Sequence, residues 1–375
     1  MKTMDKSIAI VGAGLMGRLT ALSLKRQGYR VSLFDKDDKN ARQSAAYAAA
    51  GLLTPLGESQ HAEPNIVAMG FESIKLWPEL LGTLEQYHFF QQTGTIMVSH
   101  EQDQGDYQGF YRFVKQHYPQ HRIHPLNRHQ LLELEPELGR SFHQGLFLPE
   151  EGQIGNRKLL SALEWQLHHE GVEWFDSTEV NVITQFANGC SITSDLGRQD
   201  FDLVVDCRGV GAQVNGKNSQ ALPLQGLRGV RGEIFQLFAP DVHLTRPIRL
   251  MHPRYQLYIA PKGKGFYVVG ATEIESEDTS PMTVRSALEL LSAAYSVHPG
   301  FAEANIRQHL SQLRPAFNDN QPRVQVTDAL VQVNGLYRHG FLIAPVVLHQ
   351  IEKAVFNQLQ PSNADFNRNY DELLP

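Results

Sequence analysis

The chain has only two cysteines in 375 residues, and Cys190 and Cys207 fall in no CxxC or zinc-ligand spacing. Neither a disulfide framework nor a zinc site is expected from them. Free thiols in a reducing compartment are the expectation, although a single bridge between the two stays open. Basic charge is not in excess: 34 Lys and Arg stand among 40 Asp and Glu, for a net charge of −6. A nucleic-acid partner would need a basic face, so none is expected. No apolar run reaches the roughly 20 residues that span a bilayer. Lys2 and Lys6 precede an apolar stretch from Ile8 to Leu15, but glycines interrupt it and no small-residue cleavage site follows. It is therefore not read as a signal peptide. Internal repeats, low-complexity tracts and obvious linkers are lacking too. What is left is a globular chain, expected in the cytoplasm and long enough that one core should give way to two domains.

What the sequence does contain is concentrated at its start. Ser7 to Val11 reads as a buried strand, Leu15 to Gln27 as a helix and Tyr29 to Phe34 as a second strand, with Gly28 where a helix ends. Such a βαβ opening implies a parallel sheet. Gly12, Gly14 and Gly17 form a G-x-G-x-x-G between the first strand and the helix. The first glycine permits the tight turn, the second a close approach by a pyrophosphate, the third tight helix–sheet packing. Phosphates would sit on the free N–H groups of the helix N-terminus. Asp35 closes the second strand roughly 20 residues on, where a carboxylate accepts from a ribose hydroxyl. A 2′-phosphate would be repelled there. The unit predicts an adenine dinucleotide, but by itself it does not separate FAD from NAD.

Further along, Ile66 to Tyr87 reads as a helix interrupted by Pro78, Phe90 to Ser99 as a strand, and Glu101 to Glu137 as mostly helical. Arg157 to Gly171 is an amphipathic helix with Leu159, Leu160, Leu163 and Leu167 on one face. From Val172 the texture changes to short strands: 180–186, 190–193, 203–206, 234–237, 257–260 and 266–270. Gly263 to Gly265 supplies a hairpin turn between the last two. Helices are expected again over 284–295 and over 342–356, the latter with Pro345 in an early turn. A β-rich middle between two α/β ends suggests one domain inserted into another.

The segment from Ser44 to Pro55, with Ala45, Ala50, Gly51 and Leu52 at its heart, resembles the flavin-contacting loop of the D-amino acid oxidase superfamily. It is most similar to the thiamine-pathway glycine oxidases and their sarcosine-oxidase relatives. Small residues suit a backbone that passes a flat tricyclic ring. Segments around Gly94, Glu135, Gly152, Val180, Arg208 with Gly209, Gly232, Tyr258 to Pro261, Val268 to Thr272, Arg314 and Gly335 to Pro345 resemble the family in order along nearly the whole chain.

The resemblance implies an α/β fold: a Rossmann-type FAD-binding domain built from 1–60, 150–225 and 310–375. An intercalated α+β substrate domain on a mixed, mostly antiparallel sheet would come from 61–149 and 226–309. FAD would be held noncovalently by Gly12, Gly14, Leu15, Met16, Gly17, Asp35, Lys36, Ser44, Ala45, Ala50, Gly51, Leu52, Val180, Arg208, Gly209, Gly340, Phe341 and Leu342. On the substrate side, Arg314 matches a carboxylate-clamping arginine, Tyr258 a tyrosine that assists it, and Arg338 a further arginine. His339 stands where an asparagine is common. The implied activity is oxidation of the C–N bond of a small amino acid or amine, with hydride passing to flavin N5 and the imine hydrolysing in water. No metal and no protein nucleophile is required. Asp319 to Gln325, Leu336, His339 and the Gly155–Asn156 pair depart from the family pattern. Two rival readings accommodate those departures. One is a maturase that modifies side chains of a partner protein, as in tryptophylquinone biogenesis; the other is an FAD-binding protein without turnover.

Overall fold

The computed structural model describes residues 5–140, 142–213, 224–252 and 257–360. Two large sheets organise it. The first has six strands in the order Arg323–Thr327, Leu330–Asn334, Leu203–Asp206, Ser7–Val11, Arg30–Phe34 and Glu173–Phe175. All neighbours in it are parallel except the edge hairpin 323–334. Its central strands are mostly apolar because both faces are covered. On one face, helices Leu15–Arg26, Pro64–Leu81, Asn156–His169 and Gly340–Leu359 share a single hydrophobic core with it. On the other lies a three-stranded antiparallel sheet, Val182–Phe186, Gly189–Ser194 and Gly197–Phe201.

The second large sheet has eight strands: Asn305–Ala316, Arg228–Phe238, Phe266–Gly270, Leu257–Pro261, Ile248–Leu250, Thr95–Val98, Gln144–Leu148 and His124–Asn127. Only Ile248–Leu250 with Thr95–Val98 is parallel; the rest pair antiparallel. Its strands fall in sequence between those of the first sheet, which is the expected intercalated α/β plan.

Several expectations about elements need correction. Pro78 does not interrupt its helix, which runs on to Leu81. Trp77 is fully buried and its indole N–H donates to the Phe341 carbonyl at 2.9 Å. That bond also explains how Pro345 is accommodated inside Gly340–Leu359. Proline cannot donate to the carbonyl four residues back, Phe341, and Trp77 donates in its place. The helix therefore begins at Gly340, two residues before the expected start at Leu342. The stretch read as one strand from Phe90 is two, Phe90–Gln91 and Thr95–Val98, in different sheets, because Gly94 turns the chain at φ +80°. Helix Pro64–Leu81 packs in the core of the six-stranded sheet, and strand Asn305–Ala316 runs in the other sheet across the boundary expected at 310. Cys190 and Cys207 are both free. No helix among the described residues is long and apolar enough to cross a membrane.

Candidate active site

A cavity of about 820 Å³ runs from the first βα turn to the eight-stranded sheet. At one end, strand Ser7–Val11 delivers Gly12 into a turn at φ +99°. A Cβ there would lie 2.7 Å from the Cys207 carbonyl oxygen, and one on Gly17 would lie 1.7 Å from the Gly12 oxygen. These two glycines are demanded by the protein itself, so that strand, turn and helix can touch. Gly14 is different. Its Cβ would meet nothing nearer than Ser44 Cβ at 3.8 Å, and the residue caps helix Leu15–Arg26 at the cavity wall. The space in front of Gly14 is thus free of protein and faces the N–H groups of a helix N-terminus, where an anion is favoured. Asp35 lines the same end. Its carboxylate accepts from the Ala13 amide and from the Asp37 amide at 2.7 Å, while burial raises its pKa.

The structure brings most of the expected dinucleotide residues to this cavity. Leu15, Met16 and Lys36 line it beside Asp35; Ser44, Ala45, Ala50, Gly51 and Leu52 form its middle; Arg208 and Gly209 close one side. Arg208 is itself anchored by Asp206 at 2.8 Å. Gly17 and Val180 do not line it. Gly17 serves packing, and the buried Val180 offers its carbonyl to Arg208 Nη1 at 3.4 Å. Gly340, Phe341 and Leu342 reach the cavity from the N-terminus of the last helix.

The far end is a polar wall. Arg314 enters from strand Asn305–Ala316, and both its Nη atoms donate to the Thr272 carbonyl at 3.1 Å. Its guanidinium lies across Gly232 of the neighbouring strand, where a Cβ would come within 2.3 Å of it. Tyr258 lies over its cross-strand partner Gly270 in the same way: a Cβ there would be 2.7 Å from the phenol oxygen. Among the described residues no carboxylate comes within salt-bridge distance of Arg314. Burial raises the Tyr258 pKa, so the phenol keeps its proton.

Arg338 is placed in this wall as expected, but it is already paired. It meets Glu58 at 2.7 Å and Glu273 at 2.6 Å, and Glu58 also meets Arg249 at 2.5 Å. Burial opposes ionisation of Glu58, but the two arginines outweigh it and hold the carboxyl well below the usual range. His339 is buried, and that burial pulls it down to about 4, so the imidazole is neutral. His61 on the same wall is lowered by burial and then by Arg338.

Glu58, Arg249, Glu273 and His61 were not anticipated. Glu58 lies three residues past the loop that ends at Pro55, and Glu273 directly after Thr272, so both abut segments already singled out. Nothing in the sequence around Arg249 marks it.

A dinucleotide cradle that opens onto a wall of arginines and a tyrosine defines an oxidoreductase working with a bound nucleotide cofactor. The comparisons with known proteins make the class specific. The chain matches the DAO model, FAD dependent oxidoreductase, over residues 7–348, and it belongs to that family of enzymes. It is 34% identical to a thiamine biosynthesis oxidoreductase, ThiO, of Rhizobium etli over 94% of this chain and 97% of the relative. It is 26% identical to the bifunctional protein ThiO/ThiG of Synechocystis, covering 94% of this chain and 52% of that longer protein. In three dimensions it resembles the glycine oxidase of Geobacillus kaustophilus, with a TM-score of 0.80 over 97% of this chain and 100% of the other at 23% identity. FAD is therefore the cofactor to test against the cavity. The open cradle at Gly14, the helix N-terminus behind it and Asp35 fit it.

Proposed function

We propose that this enzyme oxidises the C–N bond of a small amino acid or amine that carries a carboxylate, and that the imine formed is then hydrolysed. The observation that carries the reading is Arg314: a half-buried arginine with no carboxylate partner among the described residues, in the same cavity as the dinucleotide cradle. A guanidinium is a planar fork suited to a carboxylate. Its neighbour Tyr258 keeps its proton and can donate to the same group. FAD, bound noncovalently along Gly12, Gly14, Asp35 and the 44–52 loop, supplies the hydride acceptor. Gly340, Phe341 and Leu342 present the N-terminal end of the last helix to the cavity, which favours negative charge developing there. The neutral His339 adds no competing cation.

The test is to mix the FAD-loaded protein anaerobically with glycine, sarcosine and a panel of D- and L-amino acids while recording the visible flavin band. Bleaching by one small amine establishes the reaction and names the substrate class. A band unchanged by all of them overturns the reading and points to a larger substrate.

A further inference from the structure

We propose that Glu273 is a specificity-determining residue: by neutralising Arg338 it restricts the substrate wall to ligands with one carboxylate. The inference rests on the proposed amine or amino-acid chemistry for its biological meaning, but the wall itself carries the argument. Among the described residues three arginines stand in it, Arg249, Arg314 and Arg338. Two carboxylates answer them. Glu58 bridges Arg249 and Arg338 from the short helix Pro55–Glu58, and Glu273 takes the other terminal nitrogen of Arg338, Nη1. Neither histidine of the wall adds charge, since His339 is held neutral by burial and His61 is shifted in the same direction. Among the described residues the balance is one net positive charge, and it sits on Arg314. Arg285 and Glu289, exposed on helix Val284–Val297 where it borders the cavity, add one charge of each sign.

Glu58 and Glu273 are not equivalent. Glu58 is the more buried carboxylate and holds two guanidinium groups together, so it is part of the frame. Glu273 is nearly half exposed, with 46% of its side chain accessible, and it lies on the segment that follows strand Phe266–Gly270. That segment is pinned independently. Arg228 holds Glu275 at 3.0 Å, the Gly229 amide donates to Glu277 at 2.8 Å, and Arg231 holds Asp278 at 3.3 Å. Removing the Glu273 charge therefore takes the carboxylate from Arg338 Nη1 without releasing the segment. Arg338 and Arg314 border one cavity and already act electrostatically on one another, so a ligand with two carboxylates could then engage both.

The experiment measures binding of acetate and of malonate, succinate and glutarate to the FAD-loaded enzyme by calorimetry, for wild type, Glu273→Gln and Glu275→Gln. A carboxylate that gains a second guanidinium gains a charge-assisted bond worth about tenfold or more in affinity. Glu273→Gln should raise the affinity of at least one dicarboxylate relative to acetate by that factor, and Glu275→Gln should leave the ratio where it is in wild type. An unchanged ratio in Glu273→Gln overturns the inference. An equal rise in Glu275→Gln overturns it too, because loosening of the segment would then suffice. None of these readings needs turnover. A shifted ratio in a protein that no amine reduces would leave the charge gate standing and remove the proposed reaction; the reverse pattern would do the opposite.

Discussion

Glu151 is a fully buried carboxyl whose charge the fold disfavours. It has no exposure to solvent, and its carboxyl accepts from the Gly57 amide at 2.8 Å and from the Thr95 hydroxyl. It thereby holds the turn that presents Glu58 to the arginine wall. Burial pushes its pKa up to about 7, from an ordinary value of 4.5. An acid raised in the folded state holds its proton where the unfolded chain has lost it. Stability is therefore lost as pH rises from the ordinary carboxylate value to about 7, and the loss persists above. One pKa unit corresponds to about 1.4 kcal/mol, so the raised Glu151 pKa lowers native stability by about 3 kcal/mol at pH 8 and by only about 1 kcal/mol at pH 5. Glutamine keeps the shape, can still accept from Gly57 and can donate to Thr95. The advantage of Glu151→Gln over wild type should grow by about 2 to 3 kcal/mol between those two pH values. Lys262, whose ammonium burial pulls down to about 7, titrates in both proteins and cancels. Denaturant midpoints at saturating FAD, measured at both pH values, give the difference. A gap that does not change with pH, or a wild type that is the more stable at pH 8, would refute the assignment.

Three further outcomes are expected at the site. Gly14→Val should fold, since the nearest protein atom to a Cβ there is at 3.8 Å, but should not retain FAD; stoichiometric flavin in the purified variant would remove the pyrophosphate cradle from that position. Arg314→Ala should leave the flavin spectrum intact and weaken carboxylate ligands by about 10- to 100-fold, the worth of hydrogen bonds to a charged group; unchanged acetate binding would dismiss Arg314 as the clamp. Gly232→Ala should reproduce part of that loss, because its methyl would occupy the place where the guanidinium lies, and unaltered affinity would show that Arg314 binds from some other position.

The dinucleotide end was legible because its information is contiguous. A turn, a helix N-terminus and an acid at the end of the next strand are fixed by local geometry, and the residues that build them lie within the first two strands. The substrate end is built from register and pairing, which leave no local trace. Strand Asn305–Ala316, which carries Arg314, is marked as a strand only by the family resemblance around Leu313 to Pro315, not by its own pattern. It is an edge strand whose residues are mostly half-exposed on both faces, so it has no apolar alternation to read. Glu58 and Arg249 are 191 residues apart, and Glu273 and Arg338 are 65 apart. Each looks like a surface charge until the fold brings its partner.

One signal for the wall was nonetheless present. Glycine weakens the interior of a strand and needs a reason to be there. Gly232 and Gly270 sit within the two adjacent strands Arg228–Phe238 and Phe266–Gly270, and each lies beneath a large polar side chain from the next strand over, Arg314 and Tyr258 respectively. The glycines remove the side chains that would otherwise lift that arginine and that tyrosine off the sheet. Both groups can then lie flat at the cavity wall, where a guanidinium fork and a protonated phenol meet a ligand without first moving. A charged wall assembled this way is rigid because the sheet is rigid. Its selectivity is then set by which of its arginines are left without a carboxylate, and among the described residues that is Arg314, the one over Gly232.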